Sequence, residues 1–212
     1  AMLLSAGALR CRGIDLFDGR LFRMFASPAQ GTYADLVFPA HNDGWHGESL
    51  TAQVRLYELA YAHYRDPLLL DVLKRCYREV PRNSYEALLN PDGAAFGGAA
   101  ALPGSLVFGD LGVGILRSGR RTVVLKYGPY GGGHGHPDKL SVSVHDGRRE
   151  ILPDLGTSAY GVPAFRGWYR RTLAHNTVTV DGADQRPVAG ALKTFRAAAS
   201  GGTVAAVCGG AY

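Results

Sequence analysis

The hydrophobic period of this chain changes once along its length, and that change limits its fold more than any other feature. Across residues 49–80, Leu50, Val54, Tyr57, Tyr61 and Tyr64 recur at i, i+4, i+7, i+11 and i+14, which paints one face of a helix. Asp66-Pro67 then reads as the cap and first position of a second helix, with Leu69, Val72, Leu73, Cys76 and Val80 on its apolar face and Pro81 as its stop. Beyond residues 90–105, a Gly/Ala/Pro-rich connection, the period becomes 2. Glycine marks the same boundary: six fall in the first 92 residues and 23 in the remaining 120. No three-residue repeat runs through them, so the second half is turn-rich rather than collagen-like.

In that second half, Leu140, Val142 and Val144 alternate with Ser141, Ser143 and His145, and Asp146-Gly147 turns the chain into 150–152. Further strands are expected at 106–108, 114–117, 121–127, 176–180, 193–198 and 203–207. Closely spaced strands with glycine turns and no intervening helices indicate antiparallel sheets packed as a sandwich. The fold class read from the pattern is therefore α+β: helices first, then an antiparallel β-sandwich.

Composition removes several function classes. Hydrophobic residues make up 46% of the chain, which excludes a disordered tail. The net charge is only +5, and the cations are scattered Arg doublets rather than a dense stripe, so nucleic acid is not an expected partner. The Arg doublets read either as a solvated basic surface or as attraction for an anionic ligand, because the guanidinium fork matches carboxylates and sulfates. No apolar run is long enough for a membrane span. The first ten residues lack the basic flank of a signal peptide, and the compartment is left open. Cys11, Cys76 and Cys208 are too few and too widely spaced for a disulfide framework or a zinc knuckle, and Cys76 reads as a buried thiol.

The densest concentration of chemistry is 127–138, Tyr-Gly-Pro-Tyr-Gly-Gly-Gly-His-Gly-His-Pro-Asp. In extended chain, residues at i and i+2 point the same way, so His134 and His136 are expected to converge. Asp154 and His175 lie at the edges of predicted strands that a sandwich could bring near them. Two or three histidines with one aspartate suit Zn²⁺. The alternative is that these are separate strand-end histidines bonded to backbone. Upstream, the loop 38–47 holds His41 and His46, which read as surface residues on spacing alone.

Three segments then carry a resemblance: Gly-His-Gly-His-Pro-Asp-Lys-Leu-Ser-Val (133–142), Leu-Pro-Asp-Leu-Gly (152–156) and Trp-Tyr-Arg-Arg-Thr-Leu-Ala-His-Asn-Thr-Val-Thr-Val-Asp-Gly (168–182). Together they resemble the heparinase II/III-like polysaccharide lyases, which include heparan sulfate lyases and oligoalginate lyases. The resemblance implies an (α/α) toroid followed by antiparallel β-sheets. Residues 1–95 would be the C-terminal portion of the toroid, 96–105 a linker, and 106–212 the start of the sandwich, with the chain a fragment of a larger enzyme. It also implies a structural zinc bound by His136, Asp154 and His175, with His134 facing the substrate cleft.

The implied activity is β-elimination on a uronate polysaccharide, of glycosaminoglycan or alginate type. His134, Tyr160 and Tyr169 are the candidate catalytic residues, and Arg166, Arg170, Arg171 and Asn176 the candidate substrate contacts. The family's base and carboxylate-neutralising residues lie well upstream in the toroid; His41 and Asn42 come too late in the chain to match them. The expectation is that this chain alone binds zinc but turns over poorly. An acidic polysaccharide or oligosaccharide is the implied partner, and the resemblance favours a periplasmic or secreted location. Two other readings remain at this point. One takes two histidines and Asp154 as an iron facial triad in a jelly-roll oxygenase. The other is a non-catalytic module that binds acidic carbohydrate.

Overall fold

The structure, a computed structural model, describes residues 2–90 and 96–212. Residues 91–95, and with them part of the expected 90–105 connection and the expected boundary at 95, lie outside the described residues. The chain divides into two compact units: Ala1–Thr32 with Ser49–Pro103, and Tyr33–Glu48 with Gly104–Tyr212. The loop Tyr33–Glu48, placed with the helices by the sequence reading, therefore belongs to the β unit. No helix among the described residues is long and apolar enough to cross a membrane.

The first unit is helical: α1 (Met2–Arg10), α2 (Gly19–Gly31), α3 (Val54–Tyr64), α4 (Pro67–Cys76) and α5 (Tyr85–Leu89). The hairpin read from the sequence is α3–α4. Arg65 ends α3 in the left-handed region (φ 53°), and the Asp66 carboxylate accepts from Leu68 N at 2.8 Å to start α4 with Pro67 in the first turn. Leu69, Val72, Leu73 and Cys76 are fully buried, as the apolar stripe requires. Helix α4 stops at Cys76 rather than Val80, because Tyr77 leaves helical geometry and Glu79 N and Val80 N both turn back onto the Cys76 carbonyl. Inside this unit the fully buried Glu58 carboxylate is held by Arg82 Nε (2.8 Å), Asn90 Nδ2 (2.7 Å) and the Tyr77 hydroxyl (2.5 Å). A buried charge needs such a complete shell.

The second unit is built on antiparallel sheets, so the α+β class holds. Strands β1 (Leu106–Phe108), β2 (Val113–Ser118), β3 (Arg121–Lys126), β4 (Ser141–His145) and β5 (Glu150–Leu152) form one sheet in sequential order. Strands β6 (Ala191–Ala198) and β7 (Gly201–Val207) pair separately, and Gly114 on β2 leaves room for Val204 on β7. Tyr33, Val113, Ile115 and Val124 form the apolar core, with Val37 and Phe108 packed against it.

One expectation is corrected here, and one face is unusual. Residues 176–180 form no strand, only an isolated bridge between Val180 and Ala183. Side chains hold this segment instead: Thr177 Oγ1 donates to the Lys139 carbonyl at 2.6 Å, and Asn176 Nδ2 to the Pro153 carbonyl at 2.7 Å. On β4, the polar set Ser141, Ser143 and His145 is the buried one, while Val142 and Val144 are half-buried. That face meets polar partners: Ser143 Oγ lies 3.2 Å from His41 Nε2, and His145 Nε2 lies 2.8 Å from Asp35 Oδ2.

Candidate functional site

All the chemistry-bearing residues read from the sequence after residue 130 lie in the β unit, and the loop Tyr33–Glu48 completes their setting. Four segments meet. In the loop, Asn42 sits in the left-handed region (φ 55°), as asparagine tolerates. The β3–β4 connection carries His134, His136 and Asp138. The segment after β5 carries Asp154 and Tyr160. A short 3₁₀ turn, Thr172–Ala174, delivers His175.

Backbone approach fixes the junction. Thr157 N donates to the Gly44 carbonyl at 3.2 Å, and Gly156 (φ 63°) has no space for a side chain against that carbonyl. Asn42 Oδ1 accepts from the His136 backbone N–H at 3.3 Å and from Lys126 Nζ. Arg170 Nη2 donates to the Gly135 carbonyl at 2.7 Å and lies 3.0 Å from the Tyr130 hydroxyl, bracing the histidine loop from the other side.

His134 and His136 do converge, but not as extended neighbours. The chain takes a 3₁₀ turn at Gly132–His134, so one ring is open to solvent (79% exposed) and the other is fully buried. Both reach the same carboxylate. Asp43 Oδ2 lies 2.7 Å from His134 Nδ1, and Asp43 Oδ1 lies 3.1 Å from His136 Nε2. The exposed Tyr160 hydroxyl donates to Asp43 Oδ2 at 2.8 Å and lies 3.3 Å from His134 Nδ1. Burial pushes the Asp43 carboxyl up, but the hydrogen bonds from Tyr160, His134 and His136 outweigh it and hold Asp43 below the usual carboxylate range. The same bond raises the Tyr160 phenol above its ordinary value.

Deeper in, Asp138, Asp154 and His175 are all buried, and one ligand atom from each lies within 4.8 Å of the others. This Asp–Asp–His group is a possible metal site. It differs from the expected set, because Asp138 stands in it and His136 does not. The physical reason lies at the two edges of the His136 ring: Nε2 is drawn to Asp43, while the ring centre stays 5.1 Å from that of His175. His175 Nδ1 lies 3.0 Å from Asp154 Oδ1, which also accepts from Gly156 N at 3.1 Å. Burial pushes Asp154 up, yet its bond to His175 and the His175 and His41 charges hold it below the usual range.

A set of buried atoms without partners tests whether a metal fits. His136 Nδ1, Asp138 Oδ1, Asp154 Oδ2 and His175 Nε2 are all buried and bonded to nothing. Three of these atoms belong to the compact Asp138, Asp154 and His175 group and the fourth to the neighbouring His136 ring, and such orphans are unusual for a folded protein, where buried polar groups find partners. Nitrogen and carboxylate donors of this kind suit zinc. Asp138 already has cations beside it: Lys126 Nζ pairs with its Oδ2, and Lys139 Nζ lies 3.6 Å from its Oδ1. Burial is the main cause that lowers the Lys139 ammonium.

The remaining expected residues are placed as follows. Arg166 is exposed and lines a cleft of about 250 Å³ with Tyr130, Pro137, Arg170, Gln185 and Pro187. Arg171 is engaged with Asp184 (Nε to Oδ2, 2.5 Å), and Asn176 ties the His175 segment to the Asp154 segment. Tyr169 is half-buried at the end of a π-helical turn, Phe165–Tyr169. His46 is exposed and meets Glu150 Oε2 at 2.8 Å, as a surface residue would. His41 is half-buried instead, and burial together with the Lys126 charge pushes its imidazole down to about 4.

Sequence reasoning missed Asp43, Asp138, Lys126 and Lys139. Asp138 lies inside the quoted motif, two residues past His136, and the i, i+2 argument applied one step later finds it. Asp43 lies 91 residues before His134, and only the Asn-Asp-Gly turn around it hints at a shaped loop.

Comparison with known proteins agrees with this architecture. Residues 100–205 match the family model of the heparinase II/III-like C-terminal domain. The chain is 31% identical to an alginate lyase of Stenotrophomonas maltophilia, over 77% of this chain and 25% of that protein. It is 30% identical to an exo-oligoalginate lyase of Saccharophagus degradans, over 71% of this chain and 23% of that protein. Among solved structures, a heparinase III aligns with a TM-score of 0.65 at 19% identity, covering 87% of this chain and 29% of that one. The heparan sulfate lyase HepC from Pedobacter heparinus aligns with a TM-score of 0.61 at 22% identity, covering 82% and 25%. The chain thus spans about a quarter of the length of the curated relatives it matches. With half of its residues matching the family model across the stretch that holds every histidine of the site but His41, the chain belongs to the heparinase II/III-like family.

Proposed function

We propose that the chain is part of a polysaccharide lyase that cleaves a uronate-containing polysaccharide by β-elimination, with alginate the first substrate to try. The observation that carries this reading is the exposed pair His134 and Tyr160, held side by side on one carboxylate. The names of the two curated relatives support alginate over a glycosaminoglycan. In this reading the helical unit is the end of an (α/α) toroid, and the two antiparallel sheets begin a β-sandwich.

The C5 proton of a uronate lies α to its carboxylate, and its removal builds charge on the carboxyl oxygens. The C5–H electrons form the C4–C5 double bond as the C4–oxygen bond breaks, and the leaving oxygen takes a proton. His134 has its Nδ1 engaged and its ring open to solvent, so Nε2 is free to accept a proton and, once protonated, to donate to the carboxylate. Tyr160 keeps its proton at neutral pH, which suits it to protonate the leaving oxygen rather than to act as the base. Arg166, exposed on the rim of the neighbouring cleft, offers a guanidinium to a further uronate carboxylate.

Zinc is the metal the donor set suits, with His136, Asp154 and His175 as its ligands. Asp154 and His175 come from the compact group. We take His136 as the third ligand because its Nδ1 is orphaned, whereas Asp138, whose Oδ1 is also without a hydrogen bond, is already neutralised by Lys126. A carboxylate on the far nitrogen of a ligating histidine, as Asp43 is on His136, is the usual outer support of such a site. When bound, the ion would supply a structural cross-link between the histidine loop, the segment after β5 and the 3₁₀ turn.

The test uses the protein in its natural full length, incubated with alginate, heparan sulfate and other uronate polymers while ultraviolet absorbance is followed. A conjugated unsaturated uronate accumulating with wild type but not with His134→Ala supports the reading. Binding of acidic oligosaccharide without new absorbance would leave only a carbohydrate-binding role.

A further inference from the structure

The carboxylate of Asp43 contacts both histidines of the motif and the Tyr160 hydroxyl, yet it sits on a loop far upstream of them. We propose that Asp43 is the positioning residue of this site, one oxygen fixing the tautomer of His134 and the other that of His136. The proposal rests on the lyase reading for what His134 then does, but not for the tautomers themselves.

A carboxylate has acceptors only, so any nitrogen within hydrogen-bond distance of it must carry the hydrogen. His134 Nδ1, 2.7 Å from Oδ2, is therefore the protonated nitrogen, and Nε2 keeps its lone pair on the exposed edge of the ring. His136 Nε2, 3.1 Å from Oδ1, is likewise protonated, and its lone pair falls on the buried, unpartnered Nδ1. The two histidines thus end in opposite tautomers, one offering nitrogen to solvent and the other to the interior. With each oxygen turned onto a ring nitrogen, Asp43 acts through the two rings. The Tyr160 hydroxyl donates to the same Oδ2 at 2.8 Å and lies 3.3 Å from His134 Nδ1, so one carboxylate oxygen holds the phenol beside the His134 ring.

The loop is built to hold Asp43 still. Asn42 Oδ1 accepts from His136 N (3.3 Å) and Lys126 Nζ, and the Gly44 carbonyl accepts from Thr157 N at 3.2 Å. The side chain of Asp43 is 8% exposed although its partners His134 and Tyr160 lie at the surface.

Two measurements test this. Long-range proton–nitrogen correlation spectra of the 212-residue chain at saturating zinc report the tautomer of each histidine directly. The expectation is Nδ1–H for His134 and Nε2–H for His136 in wild type, with His134 becoming a mixture in Asp43→Ala. A mixed or Nε2–H His134 in wild type overturns the proposal, whatever the fate of any variant.

The second measurement is steady-state kinetics of the natural full-length protein at saturating zinc. Asp43→Asn should lower kcat by roughly 10²-fold, the scale of a lost acid–base partner, with KM changed little. The double variant with His134→Ala should lose less than the two single losses combined, since the part of Asp43's effect that acts through His134 disappears with that ring. Full kcat in Asp43→Asn, or additive losses in the double variant, would overturn it. If wild type cleaves no uronate polymer, the lyase reading fails while the tautomer spectra still decide the role of Asp43.

Discussion

A Cβ added at Gly156 would stand 2.1 Å from the carbonyl oxygen of Gly44. That contact seats the segment carrying Asp154 against the loop carrying Asp43. Gly156 is also in the left-handed region at φ 63°, and the backbone of Ala40 closes the space behind it. Gly156→Ala should therefore destabilise the β unit by about 3 kcal/mol, combining left-handed strain with a backbone clash. Gly161 supplies the control: φ is 88° there, but nothing lies within 4 Å. Gly161→Ala should cost only the strain, about 1–2 kcal/mol. Thermal melts of the two variants, read against wild type, check the ordering.

The pair Lys126–Asp138 is buried on both sides. Removing one partner of such a pair strands a charge, at a cost of about 3–5 kcal/mol. Lys126→Met should lower the melting temperature far more than any exposed Arg→Met change. Lys126→Met combined with Asp138→Asn should recover most of the loss. A Lys126→Met variant as stable as wild type would show that Asp138 carries no buried charge.

Cys76 is fully buried on α4, and burial raises its thiol to about 12. Cys11 is exposed. A thiol reagent at pH 8 should label Cys11 in the native protein and reach Cys76 only after denaturant is added. The linkage has a definite sign. The folded thiol is raised, so its contribution to stability is complete below the ordinary thiol value of about 8.5 and is lost as pH climbs from there toward 12. Native labelling of Cys76 at the rate of Cys11 would contradict this.

Metal binding separates the two possible third ligands. One zinc per chain is expected by elemental analysis, and Asp154→Asn and His175→Ala should each lose it. His136→Asn should lose it as well, whereas Asp138→Asn should retain it. Zinc retained by His136→Asn and lost by Asp138→Asn would instead assign the ion to the compact Asp138, Asp154 and His175 group. Asp43→Asn should weaken zinc by roughly 10–100-fold, as outer partners of metal histidines do.

How much of this was legible depends on the range of the interactions. The α3–α4 hairpin was readable because its stripe, its Asp66 cap and its Pro67 are local signals. The strands β1 to β7 were readable from alternation and turns, since each turn residue sits beside the strands it joins. Residues 176–180 misled because the β-branched run there is held by side-chain bonds to Lys139 and Pro153 rather than by a ladder. On β4 the buried face proved to be the serine and histidine face, which only the polar loop packed on it explains. Asp43 was invisible for the same reason: its partners are 91, 93 and 117 residues away, and no spacing rule spans that distance.

The claim at the centre is elimination, and the mass of the cleavage products tests it most directly. Elimination splits a glycosidic bond without adding water, while hydrolysis adds one. The natural full-length protein acting on oligoalginate should give fragments whose masses sum to that of the substrate, one of them unsaturated. Fragments heavier in total by one water would contradict the account.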